Sequence, residues 1–206
     1  MKINADTRQS AKRLNSGAGE AMIVYIGLGS NLGDRAENLR RASERIAALG
    51  LAITRESSIY ETEPVGFHDQ PWFLNQVIEV DTTGVSFARV DDSPDADAQS
   101  LIEASALLEA LLEIERVMGR ERTFANGPRV IDIDLLLYGN RVFHQTQKKP
   151  HLIVPHPRMH LRRFVLEPLS EIAPFAIHPS LGKTSRQLLD DLEDTSIVRL
   201  FVQSEN

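Results

Sequence analysis

An α+β domain with the element order β-α-β-β-α-β is what this sequence predicts, on three observations. Apolar residues run nearly unbroken over 22–28, recur on both faces of an extended stretch over 72–81 and alternate with polar ones over 130–138, as strands do. Two stretches, after Asp34 and after Ser100, repeat their apolar residues at three- and four-residue spacing, as helices with one buried face do. Glycine and proline fall mainly at the joints between these stretches. That order, with antiparallel neighbours, is a split-βαβ, ferredoxin-like sheet whose helices cover one face and leave the other open for a site.

Each element has its own signal. Met22–Leu28 is short and apolar enough for a buried strand, and the turn Gly29–Gly33 breaks it. Asp34 with Glu37 has capping-box spacing; the helix it opens places Leu39, Ala42, Ile46 and Leu49 on one face and ends at Gly50. Leu51–Tyr60 reads as a second strand, and 61–71, with two prolines, as a loop. A third strand, Trp72–Asp81, sets Phe73, Asn75 and Val77 on one side and Leu74, Gln76 and Ile78 on the other. Residues 82–99 are acidic and turn-rich, an expected insertion. Ser100 and Glu103 repeat the capping-box spacing, and Leu107, Leu111, Ile114 and Met118 form the stripe of a second helix that stops at Gly119. The strand at 130–138 follows, then a short strand near Val142. A helical region starts at 154–159, and a last helix spans Thr184 to about Leu192. The first twenty residues are polar and aperiodic, an expected disordered extension before a single domain over 21–206.

Composition narrows the function. Hydrophobic content of 42% and charged content of 25% are those of a globular domain with an ordinary core. Absence of cysteine removes disulfide frames and thiolate zinc sites and suits the cytoplasm. No apolar run reaches the ~18 residues of a spanning helix, so no membrane role is expected. A net charge of −6 argues against nucleic-acid binding. The arginines between 116 and 129 are a local basic patch on an acidic chain, which fits a small phosphate ligand.

The chemistry gathers around Gly119–Gly139. On a strand, Asp132 and Asp134 share a face, and two close carboxylates resist ionising unless a cation lies between them. Hard oxygen donors suit Mg²⁺, which binds one or two carboxylates together with substrate phosphates. Arg120, Arg122 and Arg129 precede them in a glycine-containing segment, and guanidinium forks match phosphate oxygens. The unremarkable alternative is a solvated D-x-D with structural ion pairs. Gly29–Gly33 lacks the Lys-Ser/Thr of a P-loop and reads as a tight turn with Asn31 bonding the backbone. His156 and His160 are four apart but lack a glutamate base between them, so His156 reads as a phosphate donor rather than a zinc ligand. Phe73 stands at a proline-bounded loop mouth, where aromatics hold flat ligands, though core packing explains such a residue equally well.

Four blocks together, Y-I-G-L-G-S-N-L-G-D at 25–34, P-V-G-F-H-D-Q-P-W-F-L-N at 64–75, G-R-x-R…G-P-R-x-I-D-I-D-L-L-L-Y-G at 119–139 and V-P-H-P-R-M…R-R-F-V-L-x-P-L at 154–169, resemble the 6-hydroxymethyl-7,8-dihydropterin pyrophosphokinases of folate synthesis. The resemblance runs from about Met22 to Leu192. It implies transfer of pyrophosphate from ATP, the co-substrate, to the pterin hydroxymethyl group with release of AMP. By motif position, Asp132 and Asp134 would hold two Mg²⁺ ions. Arg120 and Arg122 would come from a mobile catalytic loop, and Arg129, His156 and Arg162 would grip phosphates. Phe73 and Phe164 would sandwich the pterin. Asn75, Thr62 and the backbone of Pro64, Val65 and Gly66 would border it, and Leu112 and Glu115 would line the nucleotide site. A monomer acting on small molecules is expected.

Two rivals stand beside this reading. A ligand-binding ferredoxin-like module would keep the aromatics without needing the carboxylate–arginine cluster. Another two-metal phosphotransferase, such as a nucleotidyltransferase, would keep the cluster and differ in its product.

Overall fold

The computed structural model describes residues 22–87, 95–120 and 127–202. The expected extension at 1–20, the middle of the expected insertion and Arg122 lie outside them. Strands β1 (Ile23–Ser30), β2 (Ala52–Glu56), β3 (Tyr60–Thr62), β4 (Phe73–Asp81) and β5 (Asp132–Tyr138) interleave with α1 (Arg35–Ala47) and α2 (Ala96–Val117). Beyond them come β6 (Phe143–Gln145), β7 (Leu152–Val154), a 3₁₀ turn (Met159–Leu161), α3 (Arg163–Ile172), β8 (Ile177–His178), β9 (Lys183–Thr184), α4 (Ser185–Asp190) and β10 (Val198–Leu200). The predicted second strand is broken into β2 and β3, both paired antiparallel with β4. β4 pairs with β1 and β1 with β5, all antiparallel, which is the ferredoxin-like order. β10 extends the sheet beside β3, a strand the sequence pattern did not show.

Between the sheet and α1 and α2 lies the main core: Val24, Ile26 and Leu28 of β1, Leu74, Ile78 and Val80 of β4, and Leu39, Ala42, Ile46, Leu107 and Leu111 of the helices. Each of these valine, leucine and isoleucine side chains, shielded from water, contributes roughly 1.5–3 kcal/mol. α1 starts where Asp34 accepts the Glu37 N–H at 3.1 Å. α2 starts earlier than its spacing suggested: Asp95 caps it, and Ser100 sits inside, bonding the Ala96 carbonyl at 2.8 Å. Val85 and Phe87, within the expected insertion, pack on the main core, and Glu103 accepts from the Phe87 N–H and the Ser86 hydroxyl.

The second face is open only in part. α3 lies against β4 there, burying Val165 and Leu169 with Val77, Leu136 and Leu137. Strict alternation along β5 was expected to send Leu137 to the same side as Ile133 and Leu135. A bulge opposite Tyr25–Ile26 overturns that: Leu136 and Leu137 both face α3, and Tyr138 turns to the main core. A bulge adds one residue and resets the pleat, which periodicity alone cannot show. What α3 leaves uncovered is the end of this face nearest Ser30, Phe73 and Asp132.

Candidate active site

β1 sets the floor. Tyr25 of β1 packs under α3, and beyond it the strand presents Gly27 and Gly29 to the open end of this face, with Gly29 paired to both Asn75 and Asp132, and Gly27 to Val77 and Asp134. Two glycines two apart in a strand leave a trough between the side chains of its neighbours. A Cβ on Gly29 would stand 2.9 Å from the Asn75 amide oxygen, so no other residue fits without displacing it. The sequence places Gly27 in the first strand and Gly29 in the turn after it; their shared strand face was the signal available.

The trough is a cavity of about 440 Å³. Thr62, Val65, Phe73, Asn75 and Phe164 line it on one side, and Arg120, Arg129, Asp132, Asp134, His156 and Arg162 on the other. The cavity therefore unites residues from β3, β4, β5, α3 and the segments before β5 and α3. Glu63, Arg158 and Leu161 also line it and were not singled out from the sequence. Arg158 had a signal: it lies two residues from His156, ahead of a turn. Pro64 and Gly66 flank Val65 without lining the cavity, and Leu112 does not line it. Glu115 was expected at the nucleotide. Instead it is 2% exposed and turned toward Arg120 and the Ile133 N–H, which it accepts at 2.7 Å. Arg122 lies outside the described residues.

The aromatic end is finished within itself. The Asn75 amide donates to the Thr62 hydroxyl at 2.7 Å, which fixes the amide orientation. Arg129 stacks over Phe73 at 5.2 Å and Arg162 over Phe164 at 5.3 Å, so both rings carry a guanidinium. Asn31 fastens the two sides: it accepts from the Arg129 N–H at 2.7 Å and donates to Gln70 and the Pro71 carbonyl at 3.0 Å. Its expected backbone bonding is real, but it reaches residues distant in sequence.

The charged end is not finished. Arg120 bonds Glu115 and also Asp132, the latter at 2.6 Å, and Arg129 approaches the other Asp132 oxygen at 3.3 Å. Among the described residues Asp134 has only distant partners, His156 and Arg162 at 4.0 Å. Burial, then the Asp132 charge, pushes the Asp134 carboxyl up to about 6 despite three arginines that oppose it. Burial and the charges of Arg162 and Arg158 push His156 down to about 4. A neutral His156 whose Nδ1 accepts the Arg158 N–H at 3.3 Å carries its proton on Nε2, as a donor facing Asp134. The donor set suits a hard divalent cation. Two carboxylates share a strand face, one is reluctant to ionise beside the other, and no cation touches it closely.

Comparison with known proteins bears on this cavity. A family model for 7,8-dihydro-6-hydroxymethylpterin-pyrophosphokinase (HPPK) matches residues 25–92 and 96–174. A 2-amino-4-hydroxy-6-hydroxymethyldihydropteridine pyrophosphokinase of Bacillus subtilis is 43% identical over 154 residues, covering 73% of this chain and 77% of that protein. One from Methylorubrum extorquens is 39% identical over 179 residues, covering 86% and 98%. Among solved structures, the Plasmodium falciparum HPPK-DHPS with pterin and p-hydroxybenzoate superposes with a TM-score of 0.59 at 16% identity, over 85% of this chain and 42% of that one. That likeness speaks to the fold alone.

Proposed function

The chain belongs to the 7,8-dihydro-6-hydroxymethylpterin-pyrophosphokinase family, and from that premise we propose how its cavity divides the work. The protein is a pyrophosphokinase of folate biosynthesis, moving pyrophosphate from ATP to the hydroxymethyl group of 6-hydroxymethyl-7,8-dihydropterin and leaving AMP. The pterin ring lies between Phe73 and Phe164. Asn75, with its amide held by Thr62, reads the polar edge, and the backbone of Pro64, Val65 and Gly66 borders it. The triphosphate lies at the opposite end against Arg129, Arg162, the Nε2–H of His156 and, in addition, Arg158. The assignment of Leu112 to the nucleotide rests on motif position alone, and that of Glu115 becomes indirect, through Arg120.

Asp132 and Asp134 hold Mg²⁺, two ions in this reading, which when bound neutralise phosphate charge and polarise the β-phosphoryl group. The protein's own groups do the rest. They hold the hydroxymethyl oxygen and the β-phosphorus in one cavity, and Arg120 and Arg122 place positive charge beside the oxygens that gain negative charge as the bond to AMP breaks. Phosphoryl transfer of this kind depends on position and charge, with little covalent work for side chains. A single domain over 21–206, a monomeric state and a cytoplasmic location complete the reading. They are supported by a site built from one chain and a sequence free of cysteine.

The observation that carries the proposal is the juxtaposition, across one glycine-floored trough, of paired carboxylates with arginines and of aromatic rings with a fixed amide. Chelation is the direct test of its metal half. Stripping divalent ions with EDTA is expected to abolish turnover, and Mg²⁺ is expected to restore it; full activity in excess chelator would remove the metal from the scheme.

A further inference from the structure

Glu115 is a buried carboxylate on α2 that faces no solvent and lines no cavity. Among the described residues it accepts from the Ile133 N–H at 2.7 Å, between the two site aspartates, and from the guanidinium of Arg120. The same Arg120 nitrogen, Nη1, also reaches Asp132 Oδ1 at 2.6 Å. Arg120 is itself enclosed, its side chain 14% exposed, and its N–H bonds the Glu115 carbonyl at 3.0 Å, so backbone and side chain are tied to one residue. Gly119, at φ +90°, makes the turn that brings Arg120 back beneath the helix end.

We propose that Glu115 is a positioning residue that parks Arg120 on Asp132, so that Arg120 and a divalent cation compete for the same carboxylate. The proposal rests on the reading that Asp132 and Asp134 hold Mg²⁺. In the free protein the guanidinium partly neutralises the pair and holds Asp132 in place. A cation arriving at the pair displaces Arg120 from Asp132, and Glu115 keeps the freed guanidinium at the rim, next to the incoming phosphates. Without Glu115, Arg120 has Asp132 as its main counter-charge and becomes a stronger competitor. The effect of Glu115 on the metal therefore passes through Arg120, which a double-mutant cycle reads as non-additivity.

The test is Mn²⁺ binding to the ligand-free full chain, with free Mn²⁺ counted by electron paramagnetic resonance. Arg120→Ala is expected to tighten Mn²⁺ about tenfold, whereas Arg158→Ala, which removes a cavity arginine with no contact to Asp132, should change it less than threefold. Glu115→Gln keeps an oxygen for the Ile133 N–H and is expected to weaken Mn²⁺ severalfold. In the Arg120→Ala background the same change should move the affinity less than twofold. Equal gains from Arg120→Ala and Arg158→Ala would overturn the proposal, as would an undiminished Glu115→Gln effect in the double mutant. Should Glu115→Gln fail to fold, the two arginine variants decide alone. Failure of the metal reading itself looks different: wild type would bind no Mn²⁺, or Asp134→Asn would bind it as well as wild type.

Discussion

The two ends of the cavity differ in how complete they are before any ligand arrives. At the aromatic end the Asn75 amide is held by Thr62, the rings of Phe73 and Phe164 are backed by guanidinium groups, and Asn31 bolts the neighbouring loop in place. At the charged end Asp134 stands 4.0 Å from the Arg162 guanidinium, its carboxyl pushed up to about 6, and Arg129 Nε, though 3.3 Å from Asp132, makes no aligned hydrogen bond among the described residues. Buried polar groups left without close partners carry a cost that a ligand can relieve. In the proposed division of labour the aromatic end takes the rigid flat ring, and the charged end is completed by a metal and phosphates.

The sharpest way to break this contrast is Asp134→Asn. Turnover should fall by at least about 10³-fold, beyond the loss of a single preorganised charge donor, while the fold persists. The stability change has a definite sign. A carboxyl whose folded value is raised to about 6 contributes stability below its unfolded value near 3.8, and that contribution is lost as pH rises through 6. At pH 8 without metal the amide variant should therefore melt higher than wild type, with the gap narrowing as pH falls below 6. Melting curves at several pH values, run beside the activity assay, check both parts.

Arg122→Ala probes the charged end in turnover rather than in binding. A loss on the order of 10² in kcat is expected, with pterin affinity nearly unchanged, because an interaction made mainly in the transition state is missing from the ground state. Single-turnover rates and equilibrium titrations separate the two; a raised dissociation constant with an intact chemical step would make Arg122 a docking residue.

For the aromatic end, Phe73→Ala should weaken pterin binding by roughly 1–3 kcal/mol, as loss of base–aromatic stacking does. Trp72, the only tryptophan, adjoins Phe73 and lies under Arg199 at 4.9 Å, so its fluorescence can report the titration. Phe73 also carries Arg129, so the titration is best done without nucleotide. Unchanged affinity would place the ring elsewhere.

The smallest effect belongs outside both ends. Because Val85 and Phe87 pack on the core, shortening is best confined to 88–94. Replacing those residues by a brief Gly/Ser link should leave activity intact and shift stability by no more than about 0.6 kcal/mol. A larger loss in a chemical denaturation series would give that segment a structural role.

Much of this was legible in the sequence because periodicity reports what it is made by. The stripe of Leu107, Leu111, Ile114 and Met118 is buried on the main core as its spacing required, and Phe73 and Asn75 share the open face while Leu74 and Ile78 share the other. Periodicity failed where a local irregularity or a distant partner decides. The bulge sent Leu136 and Leu137 to one face, and β10 joins the sheet through pairing with Tyr60–Thr62 across more than a hundred residues. Within the site, the aspartate pair was read correctly as sharing a face. Glu115 forms an ion pair with Arg120 and lies off the cavity, whereas the family resemblance alone had set it at the nucleotide; motif position does not show what lies between a carboxylate and the cavity. Gly29 was read as the start of a turn, and the trough it forms with Gly27 was missed, since a missing side chain leaves no pattern of its own.

Product identity tests the central claim most directly. With ATP, Mg²⁺ and 6-hydroxymethyl-7,8-dihydropterin, phosphorus NMR should show AMP accumulating in step with a pterin that carries two phosphorus atoms. ADP as the nucleotide product would make the chain an ordinary kinase, and free pyrophosphate with an adenylylated pterin would make it a nucleotidyltransferase; either would contradict the account.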